Sequence, residues 1–256
     1  VRYAAEKLAG VVSGHLAGSR LYLAVVPDKN NYLAQGEGAL YPRLDYERMV
    51  RIMREALPGA VYIDLFGLLT IDDYYRTDAH WDQRSLPRVA QAIADAMGLG
   101  AGLMPGGGYA VREFYPFDGL YKRRFALPLR SDVIYWLTSD AIDAATMTGP
   151  AVDGAMPVYP EDKLSGSDPY NIFAGGPQSI VTIESPRART GRELVIFRDS
   201  FGSSIAPLFL EGYAKITLVD LRFVPAALID RYVDFHGQDV LFLYSTMLLN
   251  SGMLLK

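Results

Sequence analysis

The last third of the chain alternates short apolar runs with helix-length amphipathic segments, and few folds accept that rhythm. Glu193–Arg198, Lys215–Leu221 and Asp239–Tyr244 read as strands, with helices over Ser203–Glu211 and Pro225–Tyr232 between them. Strands that alternate with helices build an open, mainly parallel α/β sheet with helices on both faces. The N-terminal part keeps the same rhythm. Leu8, Val11, Val12 and Leu16 stand at helical spacing and predict an amphipathic helix over Val1–Ser19. Leu21–Lys29 is an apolar run closed by a Pro-Asp turn, the pattern of a buried strand. Residues 43–57 predict a helix with Tyr46, Met49, Val50, Met53 and Leu57 on one face, stopped by Pro58-Gly59. Val61–Leu69 predicts a further strand. Ser85 is the expected cap of a helix with Pro87 in its first turn.

The middle of the chain, about residues 99–190, breaks this pattern with many aromatic, Pro and Gly residues. We expect short strands and long loops there, forming an insertion that covers one end of the sheet. The whole of 1–256 is then one domain with an insertion. Aromatics such as Tyr109, Phe114, Tyr115, Phe117, Tyr121 and Phe125 are expected to pack rather than to bind.

Composition removes several chemistries. There is no cysteine, so disulfides, thiol nucleophiles and Cys-ligated metals are excluded. Lys plus Arg number 25 against 29 Asp plus Glu, which does not suit a nucleic-acid binder. Gly106-Gly107-Gly108 is followed by no Lys-Ser/Thr pair and is a loop, not a phosphate cradle. Nothing implies a cofactor. No run approaches the roughly 18 apolar residues of a membrane span. The chain starts at Val1, so we expect a trimmed or mature form that lacks a leader or an anchor. Only His15, His80 and His236 are available for imidazole chemistry. His15 is expected to be an ordinary helical residue, and His236 a contact at a helix C-terminus.

Two segments concentrate reactive groups. In Arg76-Thr-Asp-Ala-His-Trp-Asp82, Asp78 and His80 lie two apart and would point the same way in an extended segment. A carboxylate beside an imidazole fixes its tautomer and leaves Nε2 free to accept a proton. In Val195-Ile-Phe-Arg-Asp-Ser-Phe-Gly-Ser-Ser204, a strand runs straight into Ser200 before a helix. The carboxyl end of a strand is where open α/β sheets bind ligands, and the next helix offers free N–H groups. The competing explanations are a satisfied surface Asp–His pair and a serine that merely caps a helix.

Thr77-Asp-Ala-His-Trp81 and Arg198-Asp-Ser-Phe-Gly202 together resemble the DHHW family, as do Val26-Pro-Asp-Lys29 and Val240–Thr246. That family is similar to the alginate O-acetylation proteins within the wider SGNH (GDSL-like) hydrolase group. The resemblance runs from about residue 20 to the end. It implies a three-layer α/β/α, flavodoxin-like fold. It also implies Ser200 as nucleophile, His80 as general base and Asp78 as its orienter. Ala79 departs from the second letter of the DHHW name but lies between the functional pair. The Gly and Asn blocks of the usual SGNH oxyanion hole have no match, so the Ser200 N–H is the expected first donor. Lys29, Arg198, Asp199 and Tyr244 are supporting or substrate-contact candidates, and Trp81 is expected to pack behind His80.

The implied activity is a serine esterase or O-acetyltransferase acting on an exported polysaccharide or cell-wall glycan. An extracytoplasmic location and a membrane-bound acyl-donor partner follow from the same resemblance. Two alternatives stay open. The chain could be a glycan-binding module of an export assembly, with the aromatic segment as its surface. It could also hold a divalent metal on Asp78, His80 and Asp82.

Overall fold

The structure, a computed structural model, describes residues 1–33, 43–103 and 105–256. In chain order the elements begin with α1 (Arg2–His15), β1 (Arg20–Val26), α2 (Asn30–Leu33), α3 (Tyr46–Ala56), β2 (Val61–Ile63) and α4 (Leu86–Ala96). Next come β3 (Ala110–Phe117), α5 (Leu120–Phe125), β4 (Asp132–Thr138), α6 (Asp140–Asp143), β5 (Thr146–Gly149), β6 (Val152–Pro157) and β7 (Ile180–Glu184). The chain ends with β8 (Glu193–Arg198), α7 (Ser200–Ile205), β9 (Lys215–Val219), β10 (Asp239–Ser245) and α8 (Thr246–Asn250).

Eight strands form one sheet in the order β2-β1-β10-β8-β9-β7-β5-β6. The first five of these are mutually parallel. The strand sequences explain their place. Every residue of β10 is buried, and β8 is buried from Leu194 onward. Such continuous apolar runs suit strands covered on both faces. Phe197 and Phe242, paired across β8 and β10, stack with ring centroids 5.0 Å apart. One face of the sheet packs on α1 and α3 through Leu8, Val11, Met49 and Met53. The other packs on α4 and α7 through Val89, Ile93, Phe201 and Ile205.

In chain order the five parallel strands read 2-1-5-3-4; with the count started at β8 and continued from β10 to β1 and β2, a circular permutation, they read 2-1-3-4-5 from β9 to β2. This is the doubly wound flavodoxin-like order, whose switch point lies between its first and third strands. Here those are β8 and β10. A crevice at their carboxyl ends is therefore built by the topology, and Ser200 follows β8 directly.

Local chemistry moves several boundaries from where the sequence pattern puts them. β2 is three residues long, not nine, because the Asp64 carboxylate accepts the Phe66 N–H at 2.9 Å and turns the chain. Ser85 holds the N-cap position of α4, with Pro87 in the first turn, but its side chain makes no capping bond. Its backbone is already helical, and Asp82 caps a preceding 3-10 turn by accepting the Arg84 N–H. Helix α7 starts at Ser200 rather than Ser203, with Asp199 as its cap. Ala226–Arg231 is a 3-10 segment. The middle of the chain divides. β3 and β4 pair as a separate antiparallel ribbon. β7, β5 and β6 extend the main sheet in antiparallel fashion beyond β9.

Candidate active site

The Asp78–His80 segment is a bent loop, not an extended one. Its ends are held by a bridge between Tyr74 and Trp81 and by a bond from the Tyr75 N–H to the His80 carbonyl at 3.0 Å. Asp78 and His80 face each other because one carboxylate oxygen binds both parts of the histidine. Asp78 Oδ1 accepts the His80 backbone N–H at 3.0 Å and the ring Nδ1–H at 2.5 Å. Asp78 Oδ2 accepts the Leu120 N–H at 2.6 Å. Burial works against the charged carboxylate. The facing imidazole and these hydrogen bonds outweigh it and hold its pKa well below the usual carboxylate range.

An ionised carboxylate can only accept, so Nδ1 carries the proton and Nε2 presents its lone pair. Ser200 Oγ lies 2.7 Å from that Nε2. The serine is the first residue of α7, where N–H groups have no acceptor inside the helix. The structure thus brings together Ser200, His80 and Asp78 across 120 residues of chain.

Middle-segment residues lock the loop from outside. The Thr77 N–H and Oγ1–H both donate to Asp132 Oδ2 at 2.7 Å, and the Gly119 N–H donates to Thr77 Oγ1 at 3.0 Å. A side chain at Gly119 would overlap the Asp78 Cβ, so the close approach requires glycine.

Lys29, a supporting or substrate-contact candidate, is tied to the loop. Its Nζ donates to the Tyr75 carbonyl and, at 2.5 Å, to the Asp78 carbonyl, and it sits 5.0 Å over the Tyr121 ring. Burial lowers its pKa, while Asp78 and Asp132 oppose that shift. Lys29 is a clamp on the loop.

Arg198 and Asp199 lie beneath the serine. Arg198 is fully buried and pairs with Asp220 at 3.3 Å, which also holds Arg222 at 2.6 Å. Its stem packs under Gly202, where any Cβ would collide with that of Arg198. Asp199 Oδ1 accepts the Phe201 N–H at 3.0 Å. Its Oδ2 accepts the Ser245 N–H at 2.9 Å and the Ser245 hydroxyl at 2.6 Å. It therefore joins the two strand ends that flank the crevice. Tyr244 is buried beside this cluster and its hydroxyl has no partner among the described residues, so it does not line an open rim.

Sequence reasoning missed Tyr170. Its ring stacks on His80 with centroids 3.8 Å apart and planes 14° from parallel, while Phe201 covers the imidazole at 4.8 Å. The Tyr170 hydroxyl donates to Ser204 Oγ at 2.8 Å, and Trp81 Nε1–H reaches the same oxygen at 2.7 Å. Trp81 is fully buried behind the histidine.

Other candidates are elsewhere. Asp82 pairs with Arg84 at 2.6 Å. No group of three or more metal-ligating side chains occurs among the described residues. His15 ends α1 and packs 6.1 Å from Phe235. His236 caps no helix. It lies in a loop five residues past the 3-10 segment, where its Nδ1 meets the Asp234 carbonyl and the Gln238 side chain.

No sequence family model and no curated protein sequence matches the chain. Solved structures do match its fold. A DHHW family protein from Eubacterium siraeum aligns over 97% of this chain and 84% of its own, at 20% identity and a TM-score of 0.78. Bacillus cereus PatB1, in a structure with a sulfonyl adduct, aligns over 96% and 87% at 17% identity and a TM-score of 0.71. The O-acetyltransferase domain of Pseudomonas putida AlgJ aligns over 97% and 82% at 16% identity and a TM-score of 0.53. The fold expected from the sequence resemblance is the fold these proteins have.

Proposed function

We propose that this protein is a serine-dependent esterase or O-acyltransferase that works on acyl esters of an extracytoplasmic glycan. The observation that carries this reading is the continuous hydrogen-bond line from Ser200 Oγ through both nitrogens of His80 to the buried Asp78 carboxylate. A lone serine hydroxyl is a weak nucleophile, and a base within hydrogen-bond reach activates it. Fold likeness to an O-acetyltransferase domain and to a protein solved as a sulfonyl adduct supports the same reading.

In the proposed mechanism, Ser200 Oγ attacks the acyl carbonyl carbon as His80 Nε2 takes its proton. Asp78 stabilises the imidazolium that forms. The Ser200 N–H, at the first turn of α7, donates to the developing oxyanion, and the helix dipole adds to that field. Collapse returns the proton from His80 to the leaving alkoxide and leaves an acyl-serine. A second hydroxyl, from water or from a sugar, then gives its proton to His80 and attacks the acyl-serine; the acyl–Oγ bond breaks and His80 returns that proton to Ser200 Oγ. Water yields hydrolysis and a sugar yields transfer.

No helix among the described residues is long and apolar enough to cross a membrane. On this reading the domain acts outside the cytoplasm beside a membrane-bound acyl donor. The test is p-nitrophenyl acetate turnover by the wild type and Ser200→Ala. The proposal expects a wild-type rate that the variant loses. Equal background rates would overturn it and favour the glycan-binding alternative.

A further inference from the structure

A concave surface borders the Asp78 loop. It is a cavity of about 1090 Å³ that runs from Lys29 and Tyr121 along the β3–β4 ribbon. It adjoins the loop directly, since the Tyr121 N–H donates to the Thr77 carbonyl at 2.9 Å. Neither Ser200 nor His80 lines it.

The ribbon supplies its floor by simple strand alternation. Phe114 and Ile134 are paired across the ribbon and turn to the core. Glu113 and Tyr135 are the neighbouring pair and so turn the other way, and Tyr115 follows where the register shifts. All three line the cavity. The Tyr135 ring is covered by the Arg84 guanidinium at 3.5 Å, whereas Tyr115 is 59% exposed.

The charges decide what this surface suits. Arg84 is held by Asp82. Arg76 and Arg130 have no hydrogen-bond or ion-pair partner among the described residues, and neither do Asp72 and Glu113. Free cations and free carboxylates are thus balanced. A phosphate-rich ligand or a polyuronate would need a net positive surface. An acyl chain would need an apolar one. Tyrosine faces, with free donors and free acceptors around them, suit a chain of vicinal hydroxyls.

We infer that this groove is a subsite for an uncharged, hydroxyl-rich sugar chain, with Tyr115 as the stacking platform and Glu113 and Arg76 as hydroxyl partners. The inference rests on the reading of Ser200 as an acyl-transfer centre acting on a glycan, and it adds the charge class of that glycan.

The test is isothermal titration of the full chain with three probes: cellohexaose, chitohexaose and hexagalacturonate. At least one neutral hexasaccharide should bind with a Kd at or below about 1 mM. Hexagalacturonate should bind at least tenfold more weakly. Tyr115→Ala and Glu113→Ala should each weaken the neutral sugar by about tenfold. An unchanged Tm in these variants, both at exposed positions, would exclude unfolding. Binding should survive in Ser200→Ala, so loss of catalysis and loss of the subsite are read separately. Absence of binding by both neutral sugars, tighter binding of hexagalacturonate, or indifference to both ribbon substitutions would each overturn the inference.

Discussion

Tyr170 lies flat against His80, ring on ring at 3.8 Å, although 90 residues of chain separate them. Its hydroxyl is anchored on Ser204 Oγ, so the imidazole has a fixed wall on one side and Phe201 on the other. The wall should matter more than the hydroxyl. Tyr170→Phe keeps the stack and should retain p-nitrophenyl acetate turnover to within a fewfold, with about 1 kcal/mol lost from stability. Tyr170→Leu removes the flat face and should lower kcat by about tenfold, the scale of a lost positioning contact. Equal rates in both variants would show that the stack does no positioning.

Asp78 is the buried charge on which the site depends. Asp78→Asn should lower kcat by about three to four orders of magnitude, because the amide neither holds the required tautomer nor balances an imidazolium. The same residue makes an acid-stability prediction. Its folded pKa lies below the unfolded value of about 3.9, so its contribution is complete above that pH. The contribution is lost as pH falls toward the folded pKa, since the unfolded chain takes up the proton first. Thermal melts from pH 6 downward should show a steeper loss for the wild type than for Asp78→Asn. Parallel curves would contradict the shift.

Lys29 fastens two carbonyls of the Asp78 loop without facing the serine hydroxyl. Lys29→Met leaves both carbonyls unpaired and should cost about 1–3 kcal/mol of stability. Loosening of the loop should lower kcat while KM for p-nitrophenyl acetate stays unchanged. A rise in KM alone would instead mark Lys29 as a substrate contact.

Gly202 allows α7 to sit on the stem of Arg198. Gly202→Ala should cost about 1–3 kcal/mol, as overpacking does, and should also lower activity by shifting Ser200 at the same helix end. Gly191→Ala is the control, because a Cβ there meets nothing within 4 Å. Matching melts for the two variants would contradict the packing argument.

Much of the frame could be read from sequence because it is local. The apolar runs of β8 and β10 announce buried parallel strands, and Tyr46, Met49 and Met53 mark the buried face of α3 at helical spacing. Ser200 falls at a strand end because the run stops there. Side-chain turn chemistry was less legible. Asp64 cuts β2 short, Asp82 caps a 3-10 turn ahead of α4, and the Asp78 carboxylate bends a segment expected to be extended. Each is an Asp accepting an N–H two residues on, a choice that hydrophobic periodicity does not register. The least legible features are contacts between distant segments. Tyr170 on His80, Lys29 on the Asp78 loop and the β7–β9 pairing depend on tertiary packing. Ile180–Glu184 lies in the segment expected as an insertion of short strands and long loops, yet it joins the main sheet beside β9.

The central claim is that His80 makes Ser200 a nucleophile. The most direct measurement is intact-mass and peptide mapping after treatment with phenylmethylsulfonyl fluoride. Sulfonylation breaks the S–F bond and joins sulfur to the serine oxygen, so one phenylmethylsulfonyl group should appear per chain. It should map to Ser200, be absent in Ser200→Ala and form at least a hundredfold more slowly in His80→Ala. Labelling at another residue, or equal labelling rates in wild type and His80→Ala, would contradict the account.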